Sequence, residues 1–177
     1  QRQRDAVGVT VFSDKIEWQT PLKSTSLHLN QIFIELSKLL NATQGSRKTS
    51  IHEVLNAIAL NIHRRSLVII FSDMFDEKED VKVLLNAIQH LKHHQHEVLL
   101  FHVNEHKTEF DFHFEDRPHE FIDLETGEKV LLQPSGIRTS YKKKLEEYWQ
   151  DIKIKCGQYK IDFVEADIND DFDKILL

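Results

Sequence analysis

Five consecutive apolar residues, Leu67 to Phe71, constrain the fold of this chain more than any other segment, because they lead directly into Ser72-Asp73. An apolar run this short, rich in β-branched and aromatic residues, is typical of a strand that is buried on both faces of a sheet. Such strands belong to parallel sheets covered by helices, in which ligands bind beyond the carboxyl ends of the strands. The run therefore predicts an α/β fold and places Asp73 and Asp76 where a site is expected.

The rest of the chain alternates between strand and helix patterns, which predicts one domain over residues 1–177 built on an open, mostly parallel sheet. Strands of that sheet are expected near residues 6–12, 66–72, 97–103 and 160–165. Hairpins are expected at residues 5–20 and, as an insertion, around residues 119–133. Helices are expected at 27–40, after a cap at Thr49 or Ser50, at 81–93, at 138–156 with Gly157 as the C-cap, and at 171–177.

Charge and hydropathy exclude several classes of partner. The 23 basic residues are outnumbered by 29 acidic ones, for a net charge of −6, whereas nucleic-acid binding needs a concentrated cationic face. No apolar stretch approaches the roughly 20 residues that span a bilayer. We therefore expect no nucleic acid and no membrane as partner, and a cytoplasmic location, which the single cysteine also favours.

Three further groups of residues have a structural and a functional interpretation. His90, His93, His94 and His96 have the spacing of a zinc site, but no carboxylate or cysteine accompanies them, so interaction with the carbonyls at a helix end is favoured. Phe110, Phe112 and Phe114 are expected in an irregular edge strand that packs on the core, rather than in an exposed aromatic patch. Cys156 is expected to be buried rather than catalytic.

Four segments together resemble one family of bacterial proteins. They are Arg4 to Asp14, Arg65 to Asp76, His96 to Val103, and the hairpin sequence Phe121 to Glu128, of which the last is the most specific. In this order they resemble the von Willebrand factor A-like domains of the DUF58 family. The resemblance covers essentially the whole chain and implies the same α/β fold.

The resemblance also implies a divalent-cation site, the metal-ion-dependent adhesion site of such domains. Thr49 matches the threonine of that site and Asp73 the aspartate, with Ser50, Ser72 and Asp76 as neighbours. The Asp-x-Ser-x-Ser motif would fall before Gln1, together with the first strand, so we expect a chain that lacks the N-terminal part of the domain. One aspartate and one hydroxyl are too few ligands to order Mg²⁺, so we expect an incomplete site with no cofactor here, and Mg²⁺ only in the intact protein.

The absent first strand has a further consequence. In the family it lies between the strands that match Val7–Phe12 and Leu67–Phe71. Without it, these two strands must either pair with each other or find a neighbour in a second copy, because unpaired strand edges are costly. A homodimer through the open edge is the preferred expectation.

Two functions are considered. The first is a non-enzymatic interaction domain, an adaptor or chaperone-like partner of an AAA+ ATPase of the MoxR type, as the resemblance implies. The alternative is a Mg²⁺-dependent phosphoacceptor similar to a response-regulator receiver, with Asp73 as the acceptor. That alternative requires an early acidic pair and a later lysine, whereas His102-Val103-Asn104 occupies the place of the lysine. The chain also has no Gly-rich phosphate loop and no Gly-x-Ser-x-Gly elbow, which favours a non-enzyme.

Overall fold

The structure, a computed structural model, describes residues 5–12, 15–40, 51–63, 65–73, 81–123 and 127–176. In these ranges, five α-helices, one π-helical turn and seven strands follow one another. They are β1 (Thr10–Phe12), β2 (Ile16–Gln19), α1 (Ser26–Leu40), α2 (Ile51–Asn61), β3 (Leu67–Ser72), α3 (Val81–His93), β4 (Glu97–Asn104), a π-helical turn (His106–Phe110), β5 (His119–Ile122), β6 (Lys129–Leu132), α4 (Pro134–Gln158), β7 (Asp162–Asp167) and α5 (Phe172–Leu176). Thr49, Ser50, Asp76 and Thr126 lie outside the described residues.

The central sheet is parallel, in the order β3-β4-β7. Its strands run in register, so that Phe71 lies beside Phe101 and Phe101 beside Val164. The chain passes through α3 between β3 and β4, and through α4 on its way from β4 to β7. The predicted α/β fold class, with a mostly parallel sheet flanked by helices, is therefore confirmed. The expectation that the strand at residues 67–71 is buried on both faces is wrong, because Leu67, Ile69 and Phe71 are exposed on one face of β3.

The core lies between this sheet and helices α2, α3 and α4. Leu55, Ile88, Leu91, Leu100 and Ile152, which come from all three helices and from β4, are at most 1% exposed. Burial of each such side chain contributes about 1.5–3 kcal/mol. The apolar stripes that predicted the helices are thus the surfaces that hold them on the sheet.

The first predicted strand does not join the sheet, and that part of the prediction is wrong. Residues 10–12 form only the short strand β1, which pairs antiparallel with β2 in the expected hairpin. Just before β1, the Val7 carbonyl accepts hydrogen bonds from the Lys23 amide (3.2 Å) and the His28 imidazole (3.0 Å). These hydrogen bonds satisfy the Val7 carbonyl within the N-terminal part of the chain rather than in the central sheet. Direct pairing of this segment with β3 is therefore also wrong.

Helix α4 is longer at both ends than predicted. It begins at Pro134, whose fixed φ and missing N–H suit the first helical turn. Gly157 lies inside the helix rather than at its C-cap, since Lys160 is the residue with positive φ (56°). The Lys160 amide donates to the Gly157 carbonyl and the Ile161 amide to the Cys156 carbonyl, which is a Schellman ending.

The segment between β4 and β5 is not an edge strand, so that prediction is wrong as well. It forms the π-helical turn and then an irregular stretch, in which Phe112 has a positive φ of 48°. Phe112 is 8% exposed and contacts the rings of Phe121 and Tyr141, at centroid distances of 5.6 and 4.6 Å. These aromatic contacts attach the β5–β6 hairpin to α4, as the expectation of core packing required.

Candidate functional site at the carboxyl end of the sheet

Asp73 directly follows β3, one residue beyond Ser72, which is paired with His102 of β4. Its side chain is exposed and that of Ser72 is half-buried. Of the predicted site residues, these two are described, and they lie at the carboxyl end of the sheet as expected. Thr49, Ser50 and Asp76 fall outside the described residues, so their predicted place beside Asp73 stays a prediction.

A cleft of about 590 Å³ opens at the same end of the sheet, above the ends of β4 and β7. The two strands, the π-helical turn and one side of α4 form its walls. The side chains that matter below are those of His102, Asn104, Glu109, Trp149, Lys153, Glu165 and Asp167. The cleft therefore combines an aromatic wall with several carboxylates.

His102 forms the floor of this cleft and is 3% exposed. Its Nδ1 lies 3.2 Å from Nδ2 of Asn104, an amide that can only donate, so the ring proton belongs on Nε2. The imidazole also hydrogen-bonds the backbone of Asp73. The pKa of His102 is lowered, because the effect of burial exceeds the opposing effects of Glu165 and Asp73. A neutral histidine thus connects the end of β3 to the end of β4.

Several carboxylates share this end of the sheet. The pKa of Glu109 is raised, chiefly by partial burial and also by the negative charges of Asp73, Glu105 and Asp167. The pKa of Asp167 is lowered, chiefly by a hydrogen bond from the Asn169 amide. The Nζ atom of Lys153 lies 2.6 Å from Oε1 of Glu165. The site therefore has an acidic rim that suits a cationic group of a ligand.

The described residues do not form a metal centre at Asp73. Within the ranges that the structure covers, no three histidine, cysteine, aspartate or glutamate side chains are arranged to hold an ion. Mg²⁺ requires near-octahedral oxygen ligands. Asp73 and Ser72 together offer one carboxylate and one hydroxyl. The other charged groups that raise the pKa of Glu109 are also carboxylates, but they are not arranged with Asp73 as the ligands of one ion. Among the described residues, Asp73 and Ser72 therefore supply too few ligands to hold such a cation.

His102 and Trp149 were not selected as site residues from the sequence. The signal that could have identified His102 is its position, because it is the only titratable residue in the apolar run 98–103. Trp149 sits on the apolar face of a long helix, where an aromatic residue is typical of the core. The sequence gives no sign that the Trp149 ring contacts the imidazole of His102.

Cys156 is fully buried, as predicted, in the apolar core. Burial raises the pKa of its thiol to about 11, so the sulfur is protonated and unreactive at neutral pH. None of the helices in the described ranges has the length and apolar content that crossing a membrane requires.

Comparison with known proteins gives one family and one structural neighbour. A model of the family described as "Protein of unknown function DUF58" matches residues 1–150. Among curated proteins none matches the chain. The crystal structure of the conserved hypothetical protein BatB from Bacteroides thetaiotaomicron is similar, with a TM-score of 0.49 and 16% sequence identity, over 93% of this chain and 72% of that one.

Proposed function

Because this chain belongs to the DUF58 family, we propose that it is a non-enzymatic protein-interaction domain that binds its partner at β3 and the adjoining carboxyl end of the sheet. The family match supports the von Willebrand factor A-like architecture, and the description of the family leaves its function open. The properties of β3 then favour protein binding.

A row of exposed apolar side chains along β3 is the observation that carries this proposal. Leu67, Ile69 and Phe71 are 59%, 46% and 63% exposed. All three lie on one face of the strand, and the Phe71 ring stacks on that of Phe101 at 4.8 Å. Soluble domains seldom expose contiguous apolar rows, and those that do commonly use them as interaction surfaces.

The backbone of the same three residues is also directed outward. β3 has β4 on one side and, among the described strands, no neighbour on the other. The Glu97 amide donates to the Ser66 carbonyl (3.0 Å), so the alternation of a parallel ladder directs Leu67, Ile69 and Phe71 away from β4. An extended peptide could therefore add to this edge through main-chain hydrogen bonds, with the apolar row supplying side-chain contacts.

The identity of the partner is part of the proposal. The resemblance to MoxR-associated members of the family favours an AAA+ ATPase of the MoxR type, with this domain as its adaptor. The acidic rim beside Asp73 suits a basic side chain of such a partner, adjacent to the apolar strand. The thiol of Cys156 is buried and its pKa is raised, so it is unsuited to nucleophilic catalysis, which favours binding.

The test is binding of this chain to a purified MoxR-type ATPase from the same organism. Ile69→Lys places a charge in the apolar row, and we expect it to weaken binding by about tenfold or more, as loss of a hot-spot contact does. Leu131→Lys is the matched control, because Leu131 is 73% exposed on β6, away from β3. Equal affinities of the two variants and the unaltered chain would contradict the proposed surface. Absence of binding by the unaltered chain would contradict the proposed partner.

A further inference from the structure

The C-terminal end of α3 holds a pair of histidines in an unusual arrangement. Gln95, with φ of 66°, ends the helix in a Schellman motif, since its amide donates to the Lys92 carbonyl and the His96 amide to the Leu91 carbonyl. His90 and His94 are four residues apart, so they share one face of the last turn. Their Nε2 atoms lie 3.2 Å apart, and their rings are nearly perpendicular, at 78°.

A hydrogen bond from α2 fixes the protonation of His90. Nδ1 of His90 lies 3.1 Å from Oδ1 of Asn56, an oxygen that can only accept. The ring proton of a neutral His90 therefore occupies Nδ1, and Nε2 presents a lone pair toward His94. Metal-binding histidines are held in the same way, with the second nitrogen donating to an outer partner.

From this geometry we propose that His90 and His94 form a chelating site for a divalent transition-metal ion, with Asn56 as a positioning residue. Metal–nitrogen bonds of about 2.0–2.1 Å join two nitrogens 3.2 Å apart at an angle of about 100° at the ion, between the square-planar and tetrahedral values. The separation of the two nitrogens therefore already suits chelation, and binding requires the two rings to tilt until both lone pairs converge on the ion. This inference is independent of the interaction surface proposed above.

Binding exchanges a proton position for a metal bond. Without metal, Nε2–H of His94 donates to Nε2 of His90. When an ion enters, His94 moves that proton to its own Nδ1 through water, and both Nε2 lone pairs bind the ion. No net proton is released from the neutral pair. The positive charge then lies at the C-terminus of α3, where the helix dipole favours cations.

The neighbouring histidines do not complete a structural zinc site. His93 is exposed. Nδ1 of His96 accepts the Ser66 amide (3.3 Å), so its proton lies on Nε2, and its ring is parallel to that of His94 at 6.4 Å. No third side chain of the described residues joins the pair. The ion would keep open positions for water or an external ligand, and the affinity should follow the order Cu²⁺ > Ni²⁺ and Cu²⁺ > Zn²⁺.

The test is calorimetric titration of the untagged chain with Cu²⁺, Ni²⁺ and Zn²⁺ near neutral pH. His94→Gln and His90→Gln should each weaken the strongest site by at least about tenfold. Asn56→Ala should weaken it by about tenfold, the usual effect of losing an outer partner. His93→Gln, on the same helical turn, is the matched control and should bind as the unaltered chain does.

Two further measurements distinguish this site from adventitious binding by the other surface histidines. Electron paramagnetic resonance of bound Cu²⁺ should show two equivalent nitrogens, and one nitrogen or none in His94→Gln. Saturating Ni²⁺ should raise the melting temperature of the unaltered chain and of His93→Gln, but not of His94→Gln. If His90→Gln does not fold, His94→Gln at the helix end still decides. Unchanged affinity and spectra in His94→Gln would overturn the proposal.

Discussion

The imidazole of His102 lies against the indole of Trp149, with ring centroids 3.7 Å apart and ring planes tilted by 39°. His102 comes from β4 and Trp149 from α4, so the contact joins the sheet to the longest described helix at the floor of the cleft. Phe163 of β7 lies on the same side, at 6.0 Å from the imidazole. Such a stack excludes water from the ring and favours its neutral form.

This contact predicts how stability depends on pH. Burial lowers the pKa of His102 below its ordinary value of 6.5, although Glu165 and Asp73 oppose the shift, and Lys153 adds to it. The unfolded chain therefore binds more protons between the folded pKa and 6.5. The stability that the neutral imidazole of His102 contributes is therefore fully present above pH 6.5, the pKa in the unfolded chain. It is lost as the pH falls through the lower pKa of the folded state. We expect the melting temperature to fall on acidification from about pH 7 to about pH 5.

Substitution distinguishes this origin from general acid destabilisation. His102→Gln keeps a polar side chain but does not titrate, so its melting temperature should fall less steeply over the same pH interval. His93→Gln, which removes an exposed histidine, should retain the slope of the unaltered chain. Equal slopes in all three proteins would contradict a role for His102.

The end of α4 gives a second prediction. Gly157 lies within the last helical turn, and a Cβ added there meets nothing within 4 Å. Gly157→Ala should therefore raise the free energy of unfolding by about 0.5–1 kcal/mol, because alanine loses less backbone entropy in a helix. Were Gly157 the left-handed C-cap, the same change would destabilise the protein. Denaturant titration decides between these outcomes.

Lys160 tests the same helix ending by the reverse substitution, in which a glycine is introduced rather than removed. It occupies the left-handed position with φ of 56°, which costs a non-glycine residue about 1–2 kcal/mol. Lys160→Gly should therefore stabilise the protein, by less than that cost, because glycine also gains freedom in the unfolded chain. Lys155→Gly, within the helix, is the control and should destabilise it. Destabilisation by both glycine substitutions would contradict the Schellman assignment.

The helix ends also indicate where sequence patterns stop being sufficient. The runs Leu67–Phe71 and 98–103 predict strands because their apolar character is continuous and local. The extent of α4 depends instead on tertiary contacts, since the buried side chains of Cys156 and Ile161 determine which turn is the last. Gly157 is the stronger local signal for a helix end, but the packing of Cys156 and Ile161 in the core outweighs it.

Pairing of β1 and the composition of the site were harder to predict for a similar reason. β1 is apolar enough for the sheet, but the bonds of Val7 with Lys23 and His28 depend on how the chain folds back. The position of Asp73 at the end of β3 could be predicted because it directly follows a continuous apolar run, which is a local feature. The contact of His102 with Trp149 spans 47 positions of sequence, from 102 to 149, and no local pattern indicates it.

Metal titration tests the candidate site at the carboxyl end of the sheet. Asp73 and Ser72 give too few oxygen ligands to hold Mg²⁺ or Mn²⁺. Calorimetry should therefore show no saturable site for either ion at micromolar concentration, and Asp73→Ala should leave the titration unchanged. A tight site that Asp73→Ala removes would contradict this prediction. Mg²⁺ and Mn²⁺ prefer oxygen ligands, so the histidine pair on α3 should not interfere.

Treatment with acetyl phosphate and Mg²⁺ tests the alternative function. A receiver-like phosphoacceptor would gain one phosphoryl group on Asp73, detectable as an increase in intact mass. We expect no increase, because the side chains that line the cleft from β4 are those of His102 and Asn104, and neither is the lysine that such chemistry requires. An increase in mass that is absent from Asp73→Asn would contradict a pure binding function.

The last prediction concerns a second copy of this chain as the neighbour of β3. Leu67 to Ser72 contains no charged residue and no proline, the features that usually protect an edge strand from pairing. Two copies of β3 could pair antiparallel across a two-fold axis without bringing like charges together, which would join two three-stranded sheets into one. We therefore expect a concentration-dependent dimer in sedimentation velocity experiments.

Two substitutions make this expectation specific to β3. Ile69→Lys would place two lysines near the two-fold axis, where like charges oppose each other, so this variant should sediment as a monomer. Leu131→Lys changes the net charge equally on a remote hairpin and should still dimerise. A dimer should also compete with the proposed partner, because both use the edge of β3. A strict monomer at all concentrations, or a dimer that Ile69→Lys leaves intact, would contradict pairing through this strand.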